Sequence, residues 1–149
     1  MSDVSAPSAN DAAKDPAGHP IHHPVDDGHA PSPARREAWL ALSELFLDTA
    51  LDAADIAAIA RRLRATGLPA GALQQLYQHE VAPVCWRNLQ AVPGGAWAGF
   101  EPAWLVNAVQ QHLARPPLLH AWKPLQHWRV TRWTARTRDD WLRVKALLV

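Results

Sequence analysis

Apolar residues recur along this sequence with a helical period. Ile56, Ile59, Ala60 and Leu63 occupy i, i+3, i+4 and i+7 without a miss. A strand would scatter these side chains over both of its faces, whereas a helix gathers them on one. The segment also carries its own punctuation. Asp52 is suited to cap the N-terminus, Asp55 lies in the first turn where the helix dipole favours negative charge, and Gly67 is a stop. Alanine, the strongest helix former, occurs 28 times. The expected fold is therefore all-α.

The same period recurs along the chain. Pro33 and Ala34 open a first helix, with Trp39, Leu42, Leu45 and Phe46 on one side, running to about Leu47. Pro69 opens a third, bearing Leu73, Leu76, Tyr77, Val81 and Val84, which Pro83 is expected to kink or divide. Residues 91–99 contain Pro93, Gly94, Gly95 and Gly99 and read as a loop. Pro102 begins a fourth helix with Trp104, Leu105, Ala108, Val109 and Leu113 on its buried side, closed by Pro116 and Pro117. Leu118, Leu119, Trp122 and Leu125 suit a short helix interrupted at Pro124. Trp128 to Thr137 mixes β-branched Val130, Thr131, Thr134 and Thr137 with Trp and Arg, so extended structure suits it as well as helix. Trp141, Val144, Lys145 and Leu148 space a last helix starting at Asp139 or Asp140. The expectation is a compact array of five to six short helices over residues 34–149.

Residues 1–33 belong to another regime. They hold six of the 13 prolines, five Asp against Lys14, and no leucine or aromatic residue. Such a segment buries too little apolar surface to offset its ordering entropy, so a disordered N-terminal tail is expected. His19, His22, His23 and His29 within it are weak candidate metal ligands, since ordering a flexible tail opposes binding. A single cysteine, Cys85, excludes an internal disulfide and points to a reducing, cytoplasmic setting. No run approaches the ~18 apolar residues of a membrane-spanning helix, and the acidic N-terminus does not read as a signal peptide.

Three stretches carry a resemblance. Ala41 to Thr49 (ALSELFLDT), Glu80 to Leu89 (EVAPVCWRNL) and Trp97 to Leu105 (WAGFEPAWL) resemble an uncharacterised bacterial family of small all-helical proteins, a domain of unknown function. The likeness covers roughly residues 36–148 and departs from the family in the loop AVPGGA at 91–96. It implies a compact helical fold and brings no activity, cofactor or catalytic residue with it.

The sequence contains no G-x-S-x-G, Walker loop, G-x-G-x-x-G, H-E-x-x-H or EF-hand pattern. No cofactor is implied, and a non-catalytic chain is favoured. Glu80 lies seven residues after Leu73, and His112 seven after Leu105. If their helices pack together, the two side chains form a candidate acid–base pair. In the plainer reading, Glu80 braces backbone near Pro83 and His112 is a boundary residue.

The C-terminal third is richer. Residues 112–149 carry eight basic side chains against Asp139 and Asp140, for +6, where the whole chain is +1. Trp122, Lys123, Trp128, Arg129, Arg132, Trp133, Arg136 and Arg138 interleave indole with cation. Three readings fit: core rings with a solvated basic face, a protein-binding surface, or a nucleic-acid surface on which bases stack. The favoured function is an accessory or regulatory module that binds an as yet unidentified protein, of which an immunity-type toxin blocker is one form. Nucleic-acid binding is the alternative, and an enzyme built on Glu80 and His112 the third.

Overall fold

The computed structural model describes residues 30–90, 99–116 and 123–148, all in helices and the turns between them. No strand occurs among these residues. The expected tail and its four histidines, the loop at 91–98 and Trp122 lie outside them.

Helix α1 spans Pro33–Ser43, with the Ser32 hydroxyl accepting from the Arg35 amide at 3.2 Å. It ends earlier than its apolar pattern suggests. The Ser43 hydroxyl donates back to the Leu40 carbonyl at 2.8 Å, and the chain tightens into a 3₁₀ turn at Glu44–Phe46. Helix α2 (Ala53–Ala65) begins with the expected Asp52 cap. Asp52 accepts from the amides of Ala54 and Asp55, and Asp55 returns the contact by accepting from the Asp52 amide. Gly67 ends this region at φ +72°, where a side chain would be strained.

The third helical rod shows how a proline is accommodated. Helix α3 (Ala70–Gln75) widens into a π turn at Leu76–Val81 before α4 (Ala82–Cys85), and a 3₁₀ turn follows at Trp86–Gln90. Pro83 has no N–H for the His79 carbonyl, and its ring crowds that carbonyl, so the extra backbone is inserted in the turn before it. Helix α5 spans Pro102–Leu113, capped by the Glu101 carboxylate on the amides of Ala103 and Trp104 at 3.0 and 2.6 Å. Its buried residues are Leu105, Val106 and Val109. Trp104 and Leu113, expected on that side, are instead exposed at 49% and 45%. Trp104 lies one residue short of the buried stripe and stacks on Phe100, with ring centroids 5.6 Å apart.

Helix α6 (Lys123–Thr134) settles the ambiguous stretch: most of it is helical. β-Branched Thr131 and Thr134 fit there because their hydroxyls donate to the carbonyls four residues back, at 2.9 and 2.8 Å, while the helix packs on α4 and the π turn. Helix α7 (Arg138–Ala146) follows after one turn.

The core runs through these elements. Trp39, Leu42 and Phe46 from the first helical segment meet Ile59 and Leu63 of α2, Tyr77 and Val81 of the π turn, Leu105 and Val109 of α5, and Trp141 and Val144 of α7. Tyr77 stacks on Trp141 at 4.9 Å. Two polar ties hold the periphery. Arg62 of α2 bridges Glu37 and Glu44, and Asn88 donates to the Phe46 carbonyl at 2.9 Å.

Candidate functional site

Helix α6 presents two different faces, and its sequence explains why. At 100° per residue, Gln126, His127, Val130, Thr131 and Thr134 fall on one half of the helical wheel, and Trp128, Arg129, Arg132 and Trp133 on the other. The second half is the interleaved pattern noted in the sequence. It meets the 3₁₀ turn Trp86–Gln90, which contributes Trp86 and Arg87.

On that face, cations lie against indoles. The Arg132 guanidinium is 5.4 Å from the Trp86 ring centroid and 5.7 Å from that of Trp128. Arg129 sits 5.2 Å from Trp133, and Arg87 is 5.9 Å from Trp86. All lie within the range of a favourable cation–π contact. Arg136 donates to the Leu89 carbonyl and tethers the turn after α6 to the 86–90 segment. Trp86, Leu89, Arg132, Trp133, Ala135 and Arg136 line a small open cleft of about 170 Å³. Trp128 is the most exposed large apolar side chain on this face, at 57%.

The arginines of the domain fall into two groups. Arg35, Arg62 and Arg143 are each paired with a carboxylate. Among the described residues, none pairs with Arg87, Arg129, Arg132 or Arg136. Lys123 opens α6, and Arg138 lies apart, lining a groove on the opposite side of that helix. The remaining tryptophans divide between roles. Trp39 and Trp141 are core, while Trp86 and Trp133 are partly buried against it.

The sequence did not single out Trp86 and Arg87. The signal was present, because the Trp-Arg dipeptide at 86–87 repeats at 128–129 and inverts as Arg132-Trp133. Only the fold shows that these lie side by side.

Sequence spacing offers Glu80 and His112 as a pair. The partners the structure gives Glu80 are on α1. Its Oε1 accepts from Arg35 Nη2 at 2.6 Å, and its Oε2 from Arg35 Nε at 3.2 Å and Trp39 Nε1 at 2.7 Å. This clamp fastens the π turn to the first helix. His112 is half-buried near the end of α5. Cys85 is fully buried, and burial pushes its thiol well above the ordinary range, which keeps it un-ionised. Among the described residues, no group of three or more His, Cys, Asp or Glu side chains is placed to hold a metal ion. No helix is long and apolar enough to cross a membrane, among the same residues.

The fold and this face together define a small all-helical module with a cation-lined, indole-rich surface. The chain belongs to the family described as a domain of unknown function, DUF7079, which matches residues 33–147. No curated protein and no solved structure matches it.

Proposed function

We propose that this chain is a non-catalytic accessory or regulatory module of the bacterial cytoplasm that binds another protein through its Trp/Arg face. The observation that carries the reading is Arg132, laid against both Trp86 and Trp128 with no carboxylate partner among the described residues. Such a guanidinium is pre-positioned by its rings while its N–H groups stay available for an acidic partner, and Trp and Arg are the side chains that dominate protein hot spots. A single free cysteine is compatible with a reducing compartment.

The same geometry disfavours base stacking. A stacking platform needs open ring faces, and Trp86, Trp128 and Trp133 each have a guanidinium within cation–π distance of the ring. Carboxylates of a protein partner reach the guanidinium edges without displacing that stack.

The test is affinity capture with the full chain from host lysate, with and without nuclease, comparing the native sequence with Arg132→Ala and Arg136→Ala. A stoichiometric protein that survives nuclease and a rise from about 50 to 200 mM salt, and is lost with Arg132→Ala, supports the reading. Nucleic acid in the eluate that disappears over the same salt range transfers the face to the alternative. A partner retained by both variants removes the face from the interaction.

A further inference from the structure

The opposite half of α6 borders a second, larger feature. A groove of about 800 Å³ runs between the π turn, α6 and α7, within the size range of small-molecule sites. Its floor is the stacked pair Tyr77 and Trp141, both buried. The Tyr77 hydroxyl is anchored to Thr137 Oγ1 at 2.6 Å, so the floor is rigid.

The walls are polar and of one sign. Helix α7 contributes Arg138 and Lys145, seven residues apart and therefore on one face. Helix α6 adds His127 and Thr131, and the rod opposite adds Gln78 and His79. Among the described residues lining the groove there is no Asp or Glu. Asp140 of α7 is taken up by Arg143 at 3.0 Å. Lys145 is held in place by a neutral partner, Gln74, at 2.7 Å, which orients the ammonium without cancelling its charge.

The π turn contributes to this lining. In an α-helix, residues five apart are separated by about 140° around the axis. A π turn closes i→i+5 bonds and takes more residues per turn, which brings His79 round toward the side of Gln74 and Gln78, and all three line the groove. The backbone irregularity imposed before Pro83 thus delivers an additional nitrogen-bearing side chain to a cationic wall.

We propose that this groove binds a small organic polyanion, whose phosphate or carboxylate groups are held by Arg138 and Lys145 and whose body lies between Thr131 and Leu142 over the Tyr77–Trp141 floor. Charge complementarity carries the assignment. Among the described residues, two cations without a carboxylate partner, glutamine amide donors and the lack of acidic lining leave an anion as the fitting occupant.

The experiment is nuclear magnetic resonance of the ¹⁵N-labelled full chain, titrated at constant ionic strength with inorganic pyrophosphate and separately with citrate. The expected result is saturable movement of the Gln74, Gln78 and Gln126 side-chain amides and of the backbone amides of Arg138 to Lys145. The expected Kd is below about 1 mM for at least one anion. Preference for pyrophosphate or for citrate distinguishes a phosphate from a carboxylate ligand. Arg138→Gln with Lys145→Gln should weaken binding at least about tenfold while leaving the spectrum of the core unchanged. Arg138→Gln alone, at an exposed position, gives the same direction should the pair disturb the fold. Absence of saturation with both anions overturns the proposal. So does movement centred on Arg87 and Arg132, or binding unaffected by the substitutions.

Discussion

Replacing Glu80 by alanine should be among the most destabilising polar substitutions in the protein. Its side chain is only 12% exposed and accepts three hydrogen bonds, two from Arg35 and one from the indole of buried Trp39. Hydrogen bonds to a charged group contribute about 1.5–3 kcal/mol, and a buried donor left without an acceptor costs about 1–3 kcal/mol. Arg35 is a quarter exposed, so its share is discounted for solvent screening. The expected loss for Glu80→Ala is then about 3–4 kcal/mol, a large part of the ~5–15 kcal/mol that holds a domain together. Glu80→Gln keeps an acceptor for Trp39 and loses the charge, so it should cost about 1–2 kcal/mol. Urea unfolding of the full chain, with unchanged m value, gives both numbers. A double-mutant cycle with Arg35→Ala should return a positive coupling of about 1–2 kcal/mol. Amide exchange across Leu76–Val81 should accelerate in parallel, since the clamp fastens that turn to α1. A Glu80→Ala variant within about 0.5 kcal/mol of the native chain would refute the reasoning, as would zero coupling to Arg35.

Two further predictions concern the rings. Burial pushes the Tyr77 hydroxyl up to about 12 from an ordinary 10.0. The unfolded chain therefore releases this proton first, and stability falls as pH rises from about 10 to 12, by up to about 3 kcal/mol. Tyr77→Phe should remove that share of the alkaline slope, leaving the same-direction contribution of Cys85, whose thiol burial also pushes up, as read by thermal unfolding at stepped pH. The second prediction contrasts two tryptophans. Trp141→Ala empties a buried site and should cost about 3–5 kcal/mol, whereas Trp128→Ala should stay within about 0.5 kcal/mol yet abolish capture of the protein partner. Chemical denaturation and the capture assay read the two effects separately.

Much of the fold was legible without coordinates, because local rules and packing agree along most of the chain. The Asp52 cap, the α2 stripe and the Gly67 stop each follow from neighbours within a few residues. The exceptions have common causes. Helical spacing places Trp104 and Leu113 on the buried side of α5, but Trp104 projects about 100° away from Leu105, and Leu113, though in line with Val106 and Val109, is the last residue of the helix. Residues 128–137 carried conflicting propensities, and packing on α4 with threonine back-bonding resolved them toward helix.

The candidate face was half legible. The run of Trp and Arg in α6 is written in consecutive residues and needed only the helical period to be split into two halves. Trp86 and Arg87, forty residues away, join it solely through the meeting of the 86–90 turn with α6. The Glu80 clamp is of the same kind: its spacing from Leu73 placed it near a helix edge, but the choice of Arg35 and Trp39 as partners depends on how α1 lies across the π turn. Apart from α6, the helices, their caps, the breaks at proline and the basic end can be read from the sequence, since each depends on torsions and neighbours close in the chain. Which indoles are core, which cations find a carboxylate among the described residues and which polar side chains line a groove depend on distances between residues that only folding brings together.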